Sequence, residues 1–302
     1  MRVGGAAALS SVPGVVIRQT AQLLNVATAV TGAPFEAAYE FKVYAMPPER
    51  RAARTPTEAG AWEPSPEEIA SLPLLFTIQE ESGCFVRVLL SSLGGLNLRC
   101  LTLHYLLGPA GAAACGGSSA RGAATMLPGV GAEVLTATRP CRLGLGCCSP
   151  LLMRLRDGGG MPLGEVGEPC DAGVCLQQCC CCVFSHQVRS TPPGAAAPQH
   201  RYTLQAPLCC VGGRVNNCCG ATCCRPHLVM DVATPDGKLA STVQKTYGKG
   251  RGCEACMRCT LEFDTYVLEF PPEATAQERA LLLAAVLSID YALFSRRGGE
   301  NT

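Results

Sequence analysis

The side chains best equipped for chemistry in this sequence are its 21 cysteines, and their spacing decides which chemistry is open to them. Many are adjacent: Cys147 with Cys148, the run Cys179, Cys180, Cys181 and Cys182, then Cys209 with Cys210, Cys218 with Cys219, and Cys223 with Cys224. Neighbouring cysteines rarely satisfy disulfide geometry with one another, and a run of four is hard to pair across a fold without strain. The opening residues Met1 to Ser10 develop no long apolar segment before Arg18, so a secretory leader is not expected. These features predict cytosolic thiols, available for acylation or for metal, in a protein that is not secreted.

The metal alternative is zinc on Cys253, Cys256 and Cys259, whose tight spacing would need a fourth thiolate from the pairs upstream. A second Cys-x₂-Cys of that kind is missing and no histidine follows at finger spacing, so zinc is the lesser use. Lys238, Lys245, Lys249, Arg251 and Arg258 face one acidic residue, Glu254, over the same span. Such a surplus attracts anionic headgroups near a membrane surface; the alternative is a solvated strand-turn-strand. The net charge of +1 gives no reason to expect a nucleic-acid partner. No nucleophile elbow, phosphate-cradling glycine loop or His-Glu-x-x-His motif is present, so a bond-making enzyme is not expected.

These residues are set in a chain that is 48% hydrophobic and 16% charged, which excludes general disorder. Short alternating or apolar stretches predict strands at Tyr39 to Val43, Leu75 to Ser82, Cys84 to Leu90, Leu96 to Tyr105, Glu133 to Ala137, Leu151 to Leu155, Val183 to Val188, Tyr202 to Gln205, Leu228 to Val232, Leu239 to Tyr247 and Tyr266 to Phe270. Residues 46–73, rich in Pro, Glu, Ala and Arg, read as a solvated insertion, and the Gly/Ala/Ser-rich residues 108–130 as a flexible loop. Ala280 to Phe294 is apolar on nearly every side, yet it is bounded by Arg279 and Arg296, contains Asp290 and falls short of the ~20 residues a bilayer crossing needs. Many short strands and one greasy helix predict a mainly β fold, a barrel or sandwich, with Ala280, Leu283, Val286, Leu287, Asp290 and Phe294 inside it. Asp290 is then a carboxylate hydrogen-bonded to the strands around it, rather than a functional acid within a membrane.

Gly131-Ala-Glu-Val-Leu-Thr-Ala-Thr-Arg-Pro140, followed by Cys141 and Cys147-Cys148, resembles a segment and cysteine cluster of the phospholipid scramblase family. Other matches fall in family order: Ile17-Arg-Gln with Gln22-Leu-Leu-Asn-Val, Tyr39-Glu-Phe, Phe76 to Ser82 with Arg87, Gly160 to Val166, Cys209-Cys210 with Cys218-Cys219, Phe270-Pro271, and Leu287 to Phe294. The first of these resembles the family's initial helix-like stretch, and Tyr39-Glu-Phe its first strand. The resemblance covers residues 13–296 as one domain, between tails at 1–12 and 297–302, with insertions at 46–73 and 108–130. It implies a tubby-like fold: a closed antiparallel barrel of about twelve strands around a central, C-terminal hydrophobic helix.

The resemblance also implies sites. The family's calcium segment matches Glu262 and Asp264, two carboxylates on one strand face that supply part of the six to eight oxygens calcium takes; the alternative is a solvated strand entrance. The family's palmitate-bearing cluster matches Cys141, Cys147 and Cys148, and the run Cys179 to Cys182 is a second acylation candidate. One medium-length acyl chain anchors only marginally, so neighbouring thiols matter. The expected function is ATP-independent movement of phospholipids between leaflets, responsive to calcium, by a protein attached to the cytosolic side of the plasma membrane or an endomembrane, alone or as a homo-oligomer. The alternative is a tubby-like lipid-binding adaptor that transports nothing.

Overall fold

The computed structural model describes residues 5–20, 39–81, 101–115, 130–140, 151–169, 171, 183–207, 227–246 and 265–291. Twelve antiparallel strands form one closed barrel in the order β1-β12-β11-β10-β9-β8-β7-β6-β5-β4-β3-β2. They are β1 Gly14–Thr20, β2 Glu40–Ala45, β3 Leu74–Glu81, β4 Leu101–Leu107, β5 Glu133–Arg139, β6 Leu152–Asp157, β7 Pro162–Gly167, β8 Val183–Ser190, β9 Gln199–Pro207, β10 His227–Ala233, β11 Leu239–Thr246 and β12 Thr265–Glu269. Sequence neighbours pair all the way round, and β1 closes the ring on β12 with Val16 opposite Val267. Alternation along each strand sends one set of side chains inward. Phe41, Phe76, Ile78, Leu103, Tyr105, Leu135, Met153, Leu204, Met230, Val243, Tyr266 and Leu268 belong to that inner set and are buried.

The barrel is filled by a helix. Of the three α-helices among the described residues, α1 Pro66–Ser71, α2 Pro109–Cys115 and α3 Ala276–Ile289, the last lies in the lumen, with every residue from Ala280 to Ile289 buried. A helix wetted on no side needs no polar stripe, which explains why its sequence is apolar all round. It starts at a capping box, in which Thr275 accepts from the Glu278 N–H and Glu278 accepts from the Thr275 N–H at 2.9 Å. Gly164 makes room for it. At φ +153°, its absent Cβ would sit 2.2 Å from the Arg189 carbonyl oxygen and 2.9 Å from Leu281 Cδ1. The helix therefore packs against bare backbone of β7.

Several expectations need correcting. The start of the supposed helix-like stretch is a strand, because Val15, Val16 and Ile17 are β-branched and β2 and β12 offer two open edges; Gln22 to Val26 lies outside the described residues. Strand β7 was hidden by its Pro162 and Gly164. Within the tail at 1–12, Gly5–Leu9 is a 3-10 turn with Ala8 and Leu9 buried against the start of α3. Residues 46–73 are not a solvated insertion, since Met46, Ala52, Ala53, Trp62 and Ile69 are buried against the outside of the barrel. Residues 108–130 are not loop throughout, for α2 occupies their start and the Gly108 N–H donates to the Leu75 carbonyl at 2.7 Å. Helix α3 begins earlier than Ala280, at the capping box. The strand expected at Cys84 to Leu90 lies outside the described residues.

Candidate functional site

The two rims of the barrel differ. At the entry rim, where α3 begins, the start of the helix and its neighbouring connections are pinned by backbone and side-chain bonds. Arg279 donates to the carbonyls of Leu9, Ser10 and Val12 at 2.9 to 3.0 Å and lies over the Phe270 ring at 5.5 Å. Gln277 donates to the carbonyls of Leu163 and Thr191, and Arg201 donates to buried Glu278. Glu278 and Glu273 are also negative neighbours of Tyr202, whose phenol is pushed up to about 12, chiefly by burial.

The exit rim is where β1, β3, β5, β7, β9 and β11 end and their successors begin. Its interior is polar. Asp290 and Tyr291 continue α3 in a π turn. Asp290 accepts from the Tyr266 hydroxyl, and the Tyr291 hydroxyl donates to Glu80 at 3.0 Å. Glu80 also accepts from the Tyr39 N–H at 3.1 Å, and the Tyr291 ring meets Tyr39 and Phe41 edge-on. A carboxylate at a helix C-terminus opposes the macrodipole. The hydrogen bond from the Tyr266 hydroxyl offsets that cost for Asp290, and the Lys245 ammonium lies 5.6 Å from the Tyr266 ring.

Across the same end of the lumen stand Arg139 and His186, both buried. Neither ring nitrogen of His186 has a hydrogen-bond partner among the described residues. Burial first, and the Arg139 charge second, push its pKa down to about 3, so the imidazole is neutral. Burial likewise raises the Tyr105 phenol.

The structure treats the expected site residues unequally. Ala280, Leu283, Val286, Leu287 and Asp290 all line the barrel interior. Phe294, Glu262, Asp264, Cys141, Cys147, Cys148, Cys179 to Cys182, Cys253, Cys256, Cys259, Lys249, Arg251 and Arg258 lie outside the described residues. Among the described residues no group of three His, Cys, Asp or Glu side chains could hold a metal. Lys238 and Lys245 do not form one patch. Lys238 is exposed in the β10–β11 turn at the entry rim, whereas Lys245 is 3% exposed inside the exit end of the lumen. The eight residues of β11 hold those positions apart, at about 3.3 Å per residue. The two described members of the basic stretch thus stand at opposite ends of β11.

Glu80, Arg139 and His186 were not singled out from sequence, although strand alternation carries the signal. Phe76, Ile78 and Glu80 share one face of β3, and His186 shares a face with Val188, so each polar residue sits where a core residue would stand.

All the cysteines but Cys115 lie in the five connections from β3 to β4, β5 to β6, β7 to β8, β9 to β10 and β11 to β12. In each case the strands on both sides end at the exit rim. Among the described residues no helix is long and apolar enough to cross a membrane.

A closed antiparallel barrel threaded by its own apolar C-terminal helix is the architecture that the resemblance implied. The Scramblase family model matches residues 123–296, more than half of the sequence, and the chain belongs to the scramblase family. That membership points to membrane phospholipids as the partner and to a scramblase-like role. No solved structure matches the chain.

Proposed function

We propose that the protein moves phospholipids between leaflets without ATP, with its exit rim turned to the cytosolic surface of the bilayer and held there by acylated cysteines. The observation that carries this reading is that every cysteine-bearing connection except the one containing Cys115 joins its strands at the same rim, the exit rim. Two or more acyl chains at one end give the cooperative anchoring that a single chain does not. The connection from β11 to β12 carries Lys249, Arg251 and Arg258 for anionic headgroups and Glu262 and Asp264 for calcium, and it joins the same rim. Tyr266, one residue past the end of that connection, donates to Asp290, so calcium bound in the connection would act on the end of α3 through β12.

Because α3 fills the lumen, the lipid route runs over the outer wall. From β4 to β8 that wall presents Thr102, His104, Thr136, Thr138, Arg154, Arg156, Glu165, Gln187 and Arg189, a polar track for headgroups with tails left in hydrocarbon. The filled lumen also favours a second reading, a lipid-binding adaptor that transports nothing. Liposomes carrying fluorescent lipid and an impermeant quencher, with and without calcium, separate the two. Quenching beyond the outer-leaflet fraction supports transport, and quenching that stops there under every condition leaves the adaptor. Alkyne-palmitate labelling that is absent or resists hydroxylamine would remove the proposed anchor.

A further inference from the structure

Residues 46–73 join β2 to β3, which are adjacent and antiparallel, with the Ala45 N–H donating to the Pro73 carbonyl at 2.9 Å. Two to five residues suffice for such a connection. The chain instead sends a long strap over the outside of the barrel, at the place where the family resemblance is interrupted. Beneath it lies a row of outward residues in register across five strands, Tyr44, Val16, Val267, Gln244 and Val229. Val16 and Val267 form a small core with Met46, Ala52, Trp62 and Ile69 of the strap, separate from the barrel interior.

Polar ties also hold the strap down, among them the His227 N–H donating to the Pro56 carbonyl at 3.4 Å. Gln244 accepts from the Ala53 N–H at 2.7 Å and donates to the Trp62 carbonyl at 3.1 Å, so one side chain grips two points of the strap. Glu63 meets His227 at 3.3 Å, and Arg54 meets Glu269 at 2.6 Å and Thr242 at 3.4 Å. Two strap ion pairs, Arg51 with Glu58 and Arg50 with Glu68, are internal to it and leave with it.

One register step beyond Val16 and Tyr44, Arg18 stands directly opposite Lys42 on the same outer face. Among the described residues no carboxylate reaches either cation within ion-pair distance, and Glu40, the nearest acid along β2, faces Thr20 instead. Like charges set opposite each other across two strands cost stability unless an anion spans them. A phosphate does so with charge-assisted bonds to both.

We propose that the strap is a displaceable cover over a phospholipid-binding wall: the lipid phosphate bridges Arg18 and Lys42, and its acyl chains replace the strap along Tyr44, Val16 and Val267. The inference takes lipid as the ligand from the function proposed above. It is nevertheless tested by binding rather than by transport. The full chain, a Gln244→Leu variant, and a strapless chain with residues 46–72 replaced by Asn-Gly are sedimented with phosphatidylcholine vesicles with and without phosphatidylserine. Arg18→Gln/Lys42→Gln is combined with each. Loosening or removing the strap is expected to tighten vesicle binding about tenfold, the equivalent of ~1.4 kcal/mol, and the double substitution to cancel the gain. Inorganic phosphate that competes as well as vesicles do would show a free-anion site and overturn the acyl-chain part. A Gln244→Leu chain that melts cooperatively and binds vesicles no better than the parent overturns the proposal, whether or not the strapless chain folds, because the strap is then only a brace. Tighter binding without lipid scrambling would leave this inference standing and remove the transport reading.

Discussion

His186→Leu tests the account of the barrel interior most sharply. The imidazole is wholly buried, lacks a partner on either nitrogen among the described residues, and faces the positive field of Arg139. Leaving such a polar group unsatisfied costs about 1–3 kcal/mol, so an apolar replacement of similar volume should stabilise the fold at pH 7 by about that amount, less any misfit. The pH dependence is more diagnostic. The unfolded imidazole takes a proton near pH 6.5, whereas in the fold the pKa is pushed down to about 3. Between those values the unfolded state binds more protons, so the stability attached to neutral His186 is present above pH 6.5 and is lost as pH falls. From pH 7 to pH 5 the loss is about 2 kcal/mol, and His186→Leu should be spared it. Urea titrations of parent and variant at the two pH values give the difference directly. An equal acid sensitivity in both would refute the reasoning, by showing that the imidazole is protonated in the fold.

Three further outcomes follow from the geometry. Gly164→Ala pushes a methyl into the Arg189 carbonyl and the Leu281 side chain, and should cost about 3 kcal/mol in a thermal or urea melt, far more than Gly160→Ala in the open turn beside it. Asp290→Leu removes the acceptor of the Tyr266 hydroxyl and should destabilise by about 1–3 kcal/mol, while Asp290→Asn keeps an acceptor and should cost less; equal losses would contradict the hydrogen bond as the reason for the acid. His104 on the outer wall meets Glu81 at 2.9 Å and Glu133 at 3.1 Å. Burial alone would lower its pKa, but the two carboxylates outweigh burial and raise it. Its contribution is therefore complete below about pH 6.5 and is lost as pH rises through the raised value, so His104→Gln should cost about 0.5 kcal/mol at pH 6 and nearly nothing at pH 9.

What the sequence disclosed depended on how each signal arises. Strands such as Leu101–Leu107 and Glu133–Arg139 alternate cleanly because one face meets the lumen and the other meets water. The helix Ala276–Ile289 was legible because an apolar run too short for a bilayer needs a protein interior. Pro162 and Gly164 concealed β7 because the features that normally interrupt a strand serve here to admit a helix against its backbone. The strap was misjudged for a related reason: its few apolar anchors, Met46, Trp62 and Ile69, are dispersed among Pro, Glu and Arg, so composition recorded solvation where the fold makes a second small core. Lys238 and Lys245 show a different limit, since strand alternation and length together separate them, and no count of charges along a chain contains that information.

The filled lumen constrains the mechanism more than any single residue does. A channel through the barrel would require α3 to leave, exposing its buried apolar face together with Glu80, Asp290, Arg139 and Lys245 of the exit end. Removing Leu281, Leu282, Leu283, Val286, Leu287 and Ile289 from the core forfeits about 2 kcal/mol for each side chain, a sum comparable with the whole stability of a domain. An open lumen is thus close to an unfolded protein. Lipid transfer over the outer wall needs no such loss: the polar track from β4 to β8 lies away from the strap, and across β10, β11, β12, β1 and β2 the cover seen among the described residues is the strap, held by Gln244, His227, Arg54 and a core of six buried side chains. A phospholipid bringing its own acyl chains to Val16 and Val267 replaces most of that burial as the strap departs. The energetically accessible movement in this molecule therefore belongs to the strap rather than to the central helix.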